Sequence, residues 1–348
     1  MALMGRNAAP ARTWAPHVSR LLRDAGPFTL RSSVVRTQLP EDKSANEGAS
    51  EKARRERRHA LIVPREHGAW GLLLVPMVTG AGVALRENHH VLPFLLLLAA
   101  GLALFWLRTP VESLLGTSAM RAQTNEERRE VAVVIVALAA GAAVALAMLL
   151  WAGRNADLWL IGSAAAAAFL GQSVLRTMWR RPPRPWRAGE AERPRSKESV
   201  QRLRMLSEIV GTIGLTSSAP AAYYVVTGKF GATAWMLWLA NLIFAGNQIH
   251  YVQLRIHTAR DEGVSAKLAK GWAFAVGQFA MALVLVVACL RGFMPWLGLI
   301  AFVPILLRGS YYFFQKPGPL VVRKLGWNEL GQAIAFCVLF IAAFAVGQ

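Results

Sequence analysis

Charge is scarce in this chain and one-sided, and cysteine is nearly missing. Only 17% of the 348 residues are Asp, Glu, Lys or Arg, against about a quarter in ordinary soluble domains. Acids are the rarer sign, 20 against 39 bases, which leaves a formal net charge of +19. Two cysteines, Cys289 and Cys337, both in apolar runs, can form neither a disulfide framework nor a four-ligand zinc site. There is no Walker loop, no Gly-rich dinucleotide fingerprint after a strand, no His-Glu-x-x-His and no paired-cysteine motif. Together these absences exclude the common soluble nucleotide enzymes, secreted disulfide scaffolds and zinc modules. What the chain has is apolarity: 54% hydrophobic residues and a mean hydropathy of +0.35. High apolarity with a basic surplus predicts an all-α polytopic membrane protein whose bases sit between spans.

A helical span takes about 20 mostly apolar residues. Nine stretches approach that length: 68–85, 91–107, 131–152, 158–175, 205–226, 230–252, 271–290, 293–307 and 329–346. The fourth leans on the alanine run 164–168, and the eighth is short and interrupted by Pro304. Orientation supports the count. With the N-terminus inside, the outward loops hold only Arg86, Arg154, Lys229 and Arg291, and the inward segments hold the other 35 bases. Such a split is the positive-inside pattern. It predicts a multi-pass protein of the inner (cytoplasmic) membrane with a cytoplasmic N-terminus.

Two inward segments carry no sustained apolar period. Residues 1–58 end in the charge run 52–58 and lack the apolar core of a secretory signal. Their Arg-rich start is transit-peptide-like, but a disordered basic extension beside anionic head groups accounts for it more simply. The expected organisation is therefore an extension over residues 1–60 and a membrane domain over 61–348. The second segment, 176–204, includes Arg180-Arg181-Pro182-Pro183-Arg184-Pro185-Trp186. Beside a membrane this reads as a lipid-facing loop rather than a specific nucleic-acid site.

Polar residues at span ends are the candidates for chemistry, because lipid rejects them unless they have partners. Arg65, Glu66 and His67 open the first span; Pro at its start, an acid in the first turn and Trp70 at the interface explain part of this cluster but not His67. Arg108, Thr109, Pro110 and Glu112 follow the second span. Arg108 and Glu112 would share one face of an unbroken helix, but Pro110 disfavours helix at the residue before it, so the run reads better as a capping box with Thr109 as cap, Pro110 at the first helical position and Glu112 reaching back. The sixth span is the most polar: Asn247, Tyr251 and Arg255 recur every four residues, with His250 beside them, so they share one helix face. Glu208 is the single acid expected inside the fifth span, near enough to Arg202 and Arg204 for a surface ion pair. His89 and His90 stand together on an outward loop without further metal ligands. Glu66, His67, Glu112 and His250 are the weak candidates for acid–base work. Arg65, Arg108, Glu208, Asn247, His250, Tyr251 and Arg255 are the candidates for binding.

The opening Pro64-Arg-Glu-His-Gly-Ala-Trp-Gly-Leu-Leu-Leu-Val-Pro76 resembles the start of the YwiC-like membrane proteins, with the resemblance extending from about residue 61 to the C-terminus. It implies a multi-pass membrane protein and brings no reaction with it. A looser likeness joins the chain to the UbiA-type prenyltransferases. They have nine spans, an internal N-terminus and Asp-rich motifs after spans two and six that hold Mg²⁺ and a prenyl diphosphate. The two polar clusters here fall at the same places but carry other residues. Residues 104–120 hold one acid, Glu112, and residues 247–263 hold only Asp261 and Glu262. Magnesium takes oxygen ligands, typically carboxylates and phosphate, so the metal implied by that likeness lacks its ligands. Arginine instead grips phosphate or carboxylate directly. The expected function is thus a UbiA-like bundle that holds an anionic-headed lipid or prenyl compound in a cytoplasmic-side cavity, with Arg108 and Arg255 facing each other across it. The alternatives are a lipid or prenyl transferase with a non-standard site, and a small-molecule transporter. Oligomeric state is not legible in the sequence.

Overall fold

The computed structural model describes residues 43–63, 67–116, 118, 120–153, 156–180, 197–259, 263–316, 318 and 320–346. The chain divides into two units, Met1–Ala53 and Arg54–Gln348. Of the first, only residues 43–53 are described, as the opening turns of a helix. Among the described residues every regular element is helical. In order they are α1 (Lys43–Ile62), α2 (His67–Glu87), α3 (Val91–Leu115), α4 (Asn125–Trp151), α5 (Ala156–Arg180), α6 (Lys197–Thr216), α7 (Ser218–Thr227), α8 (Ala232–Thr258) and α9 (Val264–Leu290). A 3-10 turn, Trp296–Phe302, then leads into α10 (Val303–Phe314) and α11 (Val322–Val346).

Among the described residues, seven helical stretches are long and apolar enough to cross a membrane: α3, α4, α5, the α6–α7 pair, α9, the 3-10 turn with α10, and α11. The other two expected spans, α2 and α8, are helices at the expected places but are not among the seven. Both pack against several neighbours: α2 touches α3, α6, α7, α8 and α11, and α8 touches α2, α6, α7, α9 and α10. Within α8, Asn241, Asn247 and Gln248 interrupt the apolar run.

Close approach to α2 depends on small residues. A Cβ added at Gly80 would lie 2.1 Å from the Ala219 carbonyl oxygen of α7, so only glycine permits this crossing. The Ser218 hydroxyl lies 3.1 Å from the Leu73 carbonyl across the same contact and shares its one proton between that oxygen and the Leu215 carbonyl. The break between α6 and α7 follows from local chemistry. Pro220 has no N–H for the Thr216 carbonyl, and the Thr216, Ser217 and Ser218 hydroxyls donate to the Thr212, Gly214 and Leu215 carbonyls, a pattern that bends helices. Elsewhere the core is aromatic, with Phe244 of α8 stacked on Phe336 of α11 at 4.1 Å.

Three local expectations change. Residues 43–60, read as a disordered extension, belong to α1; residues 1–42 lie outside the described residues. The run Glu51-Lys-Ala-Arg-Arg-Glu-Arg-Arg58 is made of strong helix formers, and the helix is fixed by its last turns. Leu61 is 1% exposed, its carbonyl accepts from the Ser113 hydroxyl at 3.1 Å, and Trp106 Nε1 donates to the Ile62 carbonyl at 2.9 Å. Arg57 Nε meets Glu127 at 2.6 Å and Arg58 meets Glu130 at 2.7 Å. The hydrogen bond with Glu127 raises the Arg57 guanidinium above its ordinary range against the opposing effect of desolvation.

The capping box expected at Thr109–Glu112 is absent, because α3 runs unbroken through the buried Pro110 to Leu115. The pattern operates one connection later. Thr124 caps α4 by accepting from the Glu127 N–H at 3.1 Å, and Glu127 Oε2 accepts from the Thr124 N–H at 3.3 Å. Glu127 therefore serves both the helix start and the α1 contact. Finally, Pro304 opens α10 at its first turn rather than interrupting a helix, as its fixed φ allows.

Candidate functional site

One face of α8 carries Asn247, Tyr251 and Arg255 at four-residue spacing, and α10 answers with Arg308 and Tyr312, also four apart. The two sets interleave. The Arg308 guanidinium lies 4.0 Å from the centre of the Tyr251 ring, and the Arg255 guanidinium lies 4.8 Å from the centre of the Tyr312 ring. The two tyrosine rings meet edge-on at 5.8 Å. Desolvated cations over aromatic faces are stabilised by about 2 kcal/mol.

α9 and α11 complete the group. Lys267, in the first turn of α9, has no exposed surface. Its ammonium lies 4.9 Å from the Tyr312 ring centre and donates to the Gln315 carbonyl. Arg255 donates to Gln315 Oε1 at 3.1 Å, and the Tyr312 hydroxyl shares a 2.7 Å hydrogen bond with Thr258. Arg308 pairs with Glu329 of α11, the two side chains being 13% and 14% exposed. Glu329 is also tied to α8 through its backbone carbonyl, which accepts from Gln248 Nε2 at 2.9 Å.

Several polar atoms here are buried and make no hydrogen bond: Asn247 Oδ1, Arg255 Nε, Arg308 Nε, one Arg308 terminal nitrogen and Glu329 Oε2. Among the described residues, three cationic side chains, Arg255, Lys267 and Arg308, thus gather around Tyr251 and Tyr312, and one carboxylate, Glu329, pairs with Arg308.

The other expected residues are placed elsewhere. Arg108 Nε pairs with Glu112 at 3.0 Å, and Arg176 of α5 approaches the same carboxylate at 3.7 Å. These partners belong to α3 and α5, whereas Arg255 is engaged by Tyr312 of α10 and by Gln315 just after it. The i,i+4 pair exists because α3 does not stop at Pro110. Glu208 joins Arg204 at 3.1 Å and accepts from Gln253 Nε2 at 2.6 Å, which ties α6 to α8 with the arginine largely in the open. His250 is exposed and sets its ring edge-on to Phe274 at 5.3 Å. Arg65 and Glu66 lie outside the described residues, as does the His67 side chain.

Arg308, Lys267, Tyr312 and Glu329 are not among the residues singled out from sequence. Apolar length alone ends the eighth span at 307, which leaves Arg308 in a loop; α10 continues to Phe314 and keeps it inside the bundle. The signal was available in Arg308-x-x-x-Tyr312, the reverse of Tyr251-x-x-x-Arg255.

Magnesium ligation does not fit the described residues at either cluster. Glu112 is engaged by two guanidinium groups, Glu329 by one, and no three His, Cys, Asp or Glu side chains group together among the described residues. Asp261 and Glu262 lie outside them.

Between α2 and α8 lies a small cavity of about 10 Å³, room for about one water, lined by Gly71, Leu72, Pro76, Asn241, Phe244 and Gln248 among others. Asn241 is 1% exposed.

Neither a curated protein nor a solved structure matches the chain. Residues 63–188, from just before α2 to just beyond α5, match the family model described as YwiC-like protein, and the cationic cluster of α8 to α11 lies past the end of that match.

Proposed function

We propose that this multi-pass membrane protein holds an anionic-headed amphiphile, a lipid or a prenyl compound, at the end of the bundle where α8, α9, α10 and α11 meet, and that this end faces the cytoplasm. The observation that carries the reading is that, among the described residues, cations outnumber carboxylates around Tyr251 and Tyr312, with guanidinium N–H groups that are buried yet donate to nothing. An unmatched cation in an apolar bundle is costly, and a phosphate or carboxylate head accepts from guanidinium groups in bidentate fashion. The apolar outer faces of α9, α10 and α11 leave a tail in contact with lipid. The same chemistry serves in place of a metal-bridged diphosphate, so the likeness to prenyltransferases enters this reading as an arrangement of spans and not as a reaction.

Lipid co-purification tests it. Protein purified from membranes is extracted and its lipids compared by mass spectrometry for wild type, Arg255→Gln, Lys267→Met and the surface control Arg58→Gln. Retention of one anionic species that falls in the first two variants and not in the control supports the proposal. Equal retention in all four overturns it.

A further inference from the structure

Resting on the reading above, that an anionic head reaches the guanidinium groups of α8 and α10, we infer that the head is a phosphate monoester that keeps one acid proton, and that Glu329 selects it by accepting that proton in a hydrogen bond. The way Arg308 and Glu329 meet points to this. Arginine and carboxylate frequently pair through two parallel N–H···O bonds. Here a single terminal nitrogen of Arg308 donates to Glu329 Oε1. Nε and the other terminal nitrogen of Arg308 are buried without an acceptor, and Glu329 Oε2 is buried without a donor. Arg255 Nε is likewise buried and unspent. One ion pair thus leaves two donors and one acceptor unused in an enclosed place.

The complementary head accepts from guanidinium and donates to a carboxylate. A guanidinium has only donors, and an ionised carboxylate has only acceptors and no hydrogen of its own to turn inward. An ionised carboxylate or sulfate head meets the arginines but has nothing to give Oε2. An ionised phosphodiester has the same limit, because its remaining acid oxygen has lost its proton. A singly charged phosphate monoester offers anionic oxygens to the arginines and one P–OH to Glu329. In water that proton leaves near pH 6, but facing a carboxylate the doubly charged form is disfavoured by like charge, so the bound head keeps it.

The experiment is competition at pH 7 against a fluorescent monoalkyl phosphate bound to the full chain in detergent. The competitors are an unlabelled monoalkyl phosphate, its methyl diester and the alkyl sulfate of the same chain, for wild type and Glu329→Gln. Wild type is expected to prefer the monoester about tenfold or more, the worth of one hydrogen bond to a charged group. In Glu329→Gln the amide oxygen still accepts from Arg308 and the NH2 replaces Oε2, so the preference is expected to fall to near parity. A preference arising from the extra charge of a doubly ionised monoester would instead grow once the carboxylate is gone, and that result overturns the inference. Equal binding of the three heads in wild type also overturns it and leaves Oε2 to water. Should Glu329→Gln not fold, wild type alone decides. At pH 8, where the free monoester is nearly all dianion, its binding is expected to take up about one proton, counted by calorimetry in two buffers of different ionisation enthalpy. No uptake overturns the inference. If all three heads bind equally yet more weakly to Arg255→Gln, the anionic reading stands and only the selection by Glu329 fails; if no alkyl anion binds, both fall.

Discussion

The Arg308–Glu329 pair sets the strongest test of how the bundle is held together. Both side chains are nearly enclosed, at 13% and 14% exposure, and Arg308 also covers the Tyr251 ring at 4.0 Å. Substituting Arg308→Met removes the cation from a carboxylate whose second oxygen already has no donor. Breaking a buried pair from one side costs about 3–5 kcal/mol, because the surviving charge stays desolvated. Glu329→Gln is milder: the amide oxygen still accepts from Arg308, and the loss is about 1–3 kcal/mol. The double variant removes both charges and recovers most of the loss, leaving a coupling of about 2 kcal/mol or more in the cycle. The assay is reversible unfolding in mixed micelles followed by circular dichroism, with the four proteins compared at one detergent ratio. A cost below about 1 kcal/mol for Arg308→Met, or additivity of the two changes within about 0.5 kcal/mol, would refute the reasoning and return this pair to the class of surface ion pairs.

Two further perturbations probe the frame around the site. Thr124→Ala removes the cap of α4 and costs about 1 kcal/mol in the same unfolding assay. Glu127→Ala loses that box and the Arg57 contact together, and is expected to expose the Arg-rich turns of α1 to trypsin in the folded protein while Glu126→Ala does not. At the α2–α7 crossing, Gly80→Ala places a Cβ 2.1 Å from a backbone oxygen and is expected to destabilise by about 1–3 kcal/mol. Gly141→Ala, where nothing lies within 4 Å, is expected to be neutral or to stabilise by about 0.5–1 kcal/mol.

The helical class and the order of helices were legible because apolar length is a direct physical demand of the bilayer. Apolar length placed α2 and α8 as well, at 68–85 and 230–252. The face Asn247, Tyr251, Arg255 followed from four-residue spacing alone, which requires only that α8 be continuous. Its partners did not follow, since Arg308 and Glu329 come from α10 and α11 and only tertiary packing brings them together. Pro110 and Thr124 illustrate the limit of local rules. Proline was given the power to end α3, yet it lies buried inside the helix, while the same Thr-x-x-Glu pattern passed unnoticed where it does cap α4. Likewise α1 has the composition of a solvated tail, and it is a helix whose last turns are anchored by Leu61 and by Arg57 on Glu127.

The claim at the centre of this account is that buried guanidinium groups of α8 and α10 receive an anionic head group. Its most direct measurement is equilibrium titration of the purified protein with a fluorescent monoalkyl phosphate, repeated with Arg255→Gln and with a phosphocholine of the same chain as competitor. The account predicts saturable binding that weakens about tenfold to hundredfold in the variant, the worth of one charged hydrogen bond, and no displacement by phosphocholine. Equal affinity in both proteins, or displacement by the zwitterion, would contradict it.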